Sequence, residues 1–211
     1  MRTQHRIGFL ALLGTLIAVP AHAASVSNFS VSGTGGSLST GTTDSTGCVT
    51  IFVSLDASTG LTRADGTTSK GSAVTGDIQL FNSCTGVNEF GSIFAEVGNG
   101  FSAKAQTGTL TATVVVTMFQ FDADFNFIGT IDRTLVANRL TWTSDPTETF
   151  VAQRHTRETF PGSKSVSNGH STQHIATISG ALTVDGQNVL FPGAFALFET
   201  SMFRTISLTT N

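Results

Sequence analysis

Three features of this sequence predict an antiparallel β-sandwich of roughly ten strands, with a β-barrel as the alternative. Apolar residues alternate with Thr along a ribbon from Thr109 to Thr143. Turn signals recur between short apolar runs over the whole chain. No stretch has the spacing of an amphipathic helix, a capping box leading into an apolar run, or a repeat of fixed period. Many short strands separated by turns suit a sandwich or a barrel, and the unequal strand lengths favour the sandwich.

Residues 1–23 read as a secretory signal peptide. Arg2, His5 and Arg6 form a basic start, Ile7 to Val19 is an uncharged run, Pro20 breaks it, and Ala21-His22-Ala23 supplies small residues for cleavage. The apolar run is too short for a comfortable membrane span. No Cys follows it, so no lipid anchor is expected. Residues 24–211 are then expected to form a single all-β domain, secreted to the periplasm or the extracellular space.

Val26, Phe29 and Val31 mark a short first strand. The Gly-, Ser- and Thr-rich tract from Ser32 to Gly47 has little to bury and reads as a mobile loop. Val49, Ile51, Val53 and Leu55 alternate with Thr50 and Ser54 as the next strand. Ala57 to Gly76 reads as a second loop, with Asp65-Gly66 as a turn. Asp77 to Phe81 is a strand that leads to Cys84. Phe90 to Val97 and Phe101 to Ala105 flank Asn99-Gly100, the dipeptide favoured in type I′ hairpins because both positions need positive φ.

In the central ribbon, Leu110, Ala112, Val114, Val116 and Met118 alternate with threonines. A period of two is what a pleated backbone gives when one face is buried. The return strand puts Val136, Leu140 and Trp142 on one face and Arg133, Arg139 and Thr141 on the other. From Phe119 the apolar residues move to odd positions (Phe119, Phe121, Ala123, Phe125, Phe127), which predicts a bulge or bend near the tip. Beyond the ribbon come a brief strand near Glu148 to Ala152, a polar stretch from Gln153 to Gln173 read as a solvated loop, and a strand from His174 to Val184. Asp185-Gly186 is a tight turn, Asn188 to Phe191 its partner, and Phe195 to Phe198 and Phe203 to Leu208 close the chain.

Charged residues make up 12% of the chain, about half the usual fraction. Without Arg2 and Arg6, nine basic side chains face fourteen acidic ones, a net charge of about −5. Scattered acids give no electrostatic reason to bind nucleic acid or an anionic membrane surface, and no membrane span is expected after signal removal. The chain has 17 Phe and no Tyr. Together with Val, Leu and Ile these can fill a core. Two cysteines in an exported chain, Cys48 and Cys84, predict one disulfide.

Candidate sites are few. Asp122, Asp124 and Asn126 place oxygens at alternate positions, as a calcium loop begins. However, Phe127 stands where such a loop uses Gly and Arg133 where it uses a bidentate Glu. The favoured reading is a hairpin turn, since Asp and Asn bond their own backbone there. His155, His170 and His174 lie in one stretch with Arg154, Arg157 and Lys164. The favoured reading is an ordinary solvated loop; a basic loop that touches an anionic group and a zinc site are the alternatives. Phe125 and Phe127 are the candidate contact residues at the ribbon tip.

No G-x-S-x-G elbow, P-loop or dinucleotide fingerprint is present. Acids could form a carboxylate pair, but spacing alone brings none together. The expectation is an exported, non-catalytic β domain with a structural or ligand- or partner-binding role and no cofactor. A secreted hydrolase with a carboxylate- or histidine-based site is the alternative. An exposed aromatic row would favour the first, and a concave pocket with paired acids the second.

Overall fold

A computed structural model describes residues 24–104, 106–191 and 194–210; the expected signal peptide lies outside them. The described chain is antiparallel β-structure: β1 (Ala24–Thr43), β2 (Val49–Ala64), β3 (Thr67–Asn82), β4 (Asn88–Glu96), β5 (Phe101–Lys104), β6 (Thr107–Phe121), β7 (Phe127–Phe160), β8 (Ser163–Val184), β9 (Gln187–Asn188) and β10 (Phe195–Thr210). Gly98–Gly100 forms one 3-10 turn. The strands run β10-β1-β2-β3-β4-β6-β7-β8-β9 in one sheet, and β10 also pairs with β8. The sheet therefore returns on itself as a ring. The all-β fold and the strand number match expectation, and the ring is consistent with either a sandwich or a barrel.

The core is the inner face of this ring. Leu38, Val53, Leu55, Ile78, Val116, Met118, Leu140, Trp142, Leu182 and Phe198 are all buried. Trp142 sits at its centre, donating its indole N–H to the Ser37 carbonyl at 2.9 Å. Its ring lies over Gly36, where a Cβ would stand 2.5 Å from the indole Cδ2. Val136 does not join this core: Leu135 and Ala137 point inward in its place. A register shift between Asn138 and Thr141, with Arg139 at φ 48°, inserts a bulge. It moves the inward positions from odd to even before Leu140, which strict alternation does not reveal.

Cys48 and Cys84 are disulfide-bonded, with Cα atoms 5.3 Å apart. The bond ties the β1–β2 turn to the β3–β4 turn, and Ser83 donates its N–H to the Cys48 carbonyl beside it. Asp65-Gly66 and Asp185-Gly186 form the expected turns, with positive φ at both positions of each. Asn99-Gly100 does not form a hairpin. Of the residues there only Gly98 has positive φ, and β5 pairs with β6, not with β4.

The three stretches expected to be loops are strand. Ser32–Gly47 lies largely in β1, Ala57–Gly76 in β2 and β3 around the Asp65-Gly66 turn, and Gln153–Gln173 in β7 and β8. Phe195 to Leu208 likewise runs as one strand, β10. These segments pair along their length. Their polar side chains on both faces leave no hydrophobic alternation to read, and the ladder of backbone hydrogen bonds holds them in place of burial. Together, residues 24–34, 59–64, 67–72, 149–160, 163–174 and 199–210 extend the sheet beyond the apolar core as a six-stranded flange, ordered β3-β2-β1-β10-β8-β7.

Candidate functional site

The pairing register assigns every flange side chain to a face, because directly opposed residues in antiparallel strands point the same way. Arg63 of β2 pairs with Ser30 of β1, Ser30 with Arg204 of β10, Arg204 with Asn168 of β8, and Asn168 with His155 of β7. These five side chains form one transverse row on the face that continues the core. Lys70, Arg157, Lys164, His170 and His174 belong to the same face by parity. Glu158, Glu199 and Arg154 lie on the outer face. The charges of the flange strands are thus segregated: the inner face carries cations and imidazoles, and both acids point outward.

A cavity of about 820 Å³ opens over this row, lined by Arg63, Arg204, His170, Asn28, Ser30 and Asn168 among others. Met202 and Ala64 are its apolar lining. Asp65 also borders it, but its carboxylate already accepts the Asn28 N–H at 2.9 Å. His155 Nδ1 and Asn168 Oδ1 are hydrogen-bonded at 2.6 Å. Among the described residues, the Arg63 and Arg204 guanidiniums have no ion pair or side-chain hydrogen bond. The ion pairs present there are those of Arg133 with Glu89 and Asp185.

His170 and His174 point the same way, as their spacing predicts, and His155 joins them on that face through its pairing with Asn168. All three stand on strands, not in a loop. Along β8, His170 and His174 are separated by roughly 13 Å of extended chain, and the His174 ring bonds the Thr149 hydroxyl at 3.1 Å. Among the described residues no three His, Cys, Asp or Glu side chains converge as a metal-binding group.

At the ribbon tip, Asp122 accepts the N–H groups of Asp124 and Asn126, both at 2.9 Å, and the Asn126 side-chain amide at 3.0 Å. The side-chain amide of Asn126 and then its N–H hold the Asp122 carboxyl below its ordinary value. This is a self-bonded turn. Asp124 and Asn126 are exposed, and Phe125, 63% exposed, sits at the turn with φ 60°. The register shift expected near the tip falls between Gln120 and Phe121.

Phe127 belongs to a row of rings of which the sequence showed only the part at the tip. On the outer face Phe52, Phe81, Phe90, Phe121, Phe127 and Phe119 follow one another across β2, β3, β4, β6 and β7, with centroids 5.6–6.3 Å apart. Most meet edge to face, with interplanar angles of 64–82° in the four T-shaped pairs. Edge-to-face rings strap neighbouring strands together but offer no coplanar stacking surface.

Two further groupings were not legible in the sequence. On the outer face a cavity of about 430 Å³ lies over Gly33 and Gly35, with Asp56 and Glu199 on its two sides. Partial desolvation, then the charges of Asp77 and Glu199, push the Asp56 carboxyl above its ordinary value. Glu199 accepts the Gln173 side-chain amide at 2.7 Å. At the opposite end of the ring from the flange, buried Glu89 receives Arg133 through Nε at 2.8 Å and Nη2 at 2.7 Å, and Gln120 at 3.0 Å. Arg133 also reaches Asp185 at 2.9 Å. Although burial opposes it, the Thr134 N–H and Arg133 hold the Asp185 carboxyl below its ordinary value. All four carboxylate oxygens of Glu89 and Asp185 are thereby engaged.

No family model matches the chain, and no curated protein matches it. Among solved structures, the crystal structure of a putative AttH from Nitrosomonas europaea is similar at 12% identity and a TM-score of 0.20, over 94% of this chain and 57% of that one. This chain thus spans little more than half the length of that structure.

Proposed function

We propose that the chain is an exported, non-catalytic β domain that holds a ligand against the inner face of its flange. The observation that carries this reading is the transverse row itself: a polar cavity floor on which two guanidiniums remain unengaged. Unpaired charges and hydrogen-bonding groups gathered in a concave site are what a ligand pocket offers. The signal-like residues 1–23, the Cys48–Cys84 disulfide and the low charge support export. No helix among the described residues is long and apolar enough to cross a membrane.

The test uses the mature chain on immobilised glycans, neutral and acidic, with soluble products assayed in parallel. Binding without release of products is expected. Ser30→Trp, which fills the cavity floor, should abolish binding, while Phe94→Ser on the outer face should leave it intact. Binding that survives Ser30→Trp moves the seat elsewhere.

The hydrolase reading is favoured by one observation, the Asp56–Glu199 pair across the glycine floor of the outer cavity. Product release from a glycan, lost in Asp56→Asn and in Glu199→Gln, would replace the non-catalytic reading.

A further inference from the structure

Resting on the reading that the inner face of the flange is the seat, we infer that its ligand is an acidic oligosaccharide bearing carboxylate or sulfate groups. Arg63 and Arg204 flank Ser30 on the two neighbouring strands, so their Cα positions are separated by two strand spacings, roughly 10 Å. Each guanidinium can grip an oxyanion through two parallel N–H donors. Ser30 stands between them and Asn168 beyond Arg204, so the row alternates charged with neutral hydrogen-bonding groups. An acidic sugar chain has the complementary order, anionic groups separated by hydroxyls.

Other anions fit less well. Single-stranded nucleic acid binds sheets through aromatic platforms that stack its bases, whereas the Phe rings of this sheet's ladder lie on the outer face. A lipid anion needs an apolar wall for its chain; among the described residues lining the cavity Met202 and Ala64 are the apolar ones, and exposed Val26 and Ile206 stand further along the same face, beyond the row. The outward position of Glu158 and Glu199 leaves Asp65, already bonded to Asn28, as the acid bordering the seat.

The experiment titrates the mature chain with oligogalacturonate, a heparin-derived oligosaccharide, neutral maltooligosaccharide and a single-stranded DNA oligomer. One or both acidic sugars should bind, more weakly as salt is raised. Arg63→Gln and Arg204→Gln should each reduce affinity by about tenfold or more, the loss expected for a charge-assisted contact. Arg204→Lys should recover part of it. These side chains are exposed, so thermal midpoints should stay unchanged and exclude unfolding as the cause. Neutral-sugar binding that is lost in Ser30→Trp but indifferent to both Arg variants would overturn the acidic ligand while leaving the seat. DNA binding as tight as that of the acidic sugars would overturn the sugar assignment. Binding of every probe unchanged by Ser30→Trp would overturn the seat and this inference together.

Discussion

Arg63 and Arg204 are opposed to the same residue, Ser30, from its two sides. One belongs to β2 and the other to β10, strands that meet only because β1 runs between them. Their juxtaposition is a product of topology: β10 closes the ring by pairing with β1 and β8. A strand order that left β10 on a free edge would put Arg204 far from Arg63 and dissolve the row. The ring closure that buries Phe198 in the core therefore also builds the polar face above it.

The bulge in β7 gives a direct contrast between two valines. Val116 is 2% exposed in the core, and Val116→Ala should cost on the order of 1–2 kcal/mol through lost burial and a residual cavity. Val136 lies half-buried on the other face, so Val136→Ala should cost well under half as much. Urea denaturation of both variants decides it. Equal losses would mean that β7 keeps strict alternation and that the bulge is misplaced.

The Glu89–Arg133 network should behave as a buried pair whose halves cannot be removed singly. The Glu89 side chain is 3% exposed and that of Arg133 23%. Arg133→Leu leaves a carboxylate enclosed with only Gln120 as donor and should cost on the order of 3 kcal/mol. The double variant Glu89→Leu/Arg133→Leu should recover most of that loss, because no charge is then stranded. A double variant as unstable as the single one would show that the pair contributes net stability of its own.

How much of this could be read from the chain depends on whether a strand has a wet and a dry face. The Thr109–Thr143 ribbon does, and its alternation was legible from Leu110 to Met118 and again at Leu140 and Trp142, while the Asn138–Thr141 bulge hid that Leu135 and Ala137, not Val136, point inward. Asp65-Gly66 and Asp185-Gly186 were legible because the turn geometry selects those residues. The flange was not, since Thr, Ser, Gly and Asn occupy both faces and only pairing partners define it. The candidate site shared that fate. His170 and His174 share a face by spacing alone, but Arg63, Arg204 and His155 meet through register between strands distant in sequence. Half of the Phe row was hidden for the same reason: Phe119, Phe121 and Phe127 stand in one run at the tip, but Phe52, Phe81 and Phe90 join them only through register.

Asp56 offers a pH-dependent test. Its folded-state carboxyl lies above the ordinary value, chiefly through partial desolvation and then through Asp77 and Glu199. Folding thus favours the protonated form, so the associated stability is present below the carboxylate range. It is lost as pH rises from the ordinary value through the raised one. At neutral pH the charged group is a cost, and Asp56→Asn should raise the thermal midpoint. The gain should vanish at about pH 3, below the carboxylate range. A gain of equal size at both pH values would assign it to something other than this charge.

The turn at Asp122 carries the opposite sign. Asn126, first through its side-chain amide and then through its N–H, and Asp124 through its N–H, lower the Asp122 carboxyl. The contribution is complete above the ordinary carboxylate range and is lost as pH falls through the lowered value. Asp122→Ala should therefore lower the thermal midpoint near neutrality and have little effect in acid. Asp124→Ala should do little at either pH, because the Asp124 contribution to the turn is its backbone N–H, which the substitution keeps. Calcium discriminates the same two carboxylates. Its binding would require the Asp122 oxygens to give up three N–H donors and the exposed Asp124 carboxylate to swing toward them. In a self-bonded turn, millimolar calcium should leave the midpoint of the wild-type chain where it was. A rise of several degrees, abolished by Asp124→Ala, would show that the turn reorganises around the ion and that the calcium alternative is correct.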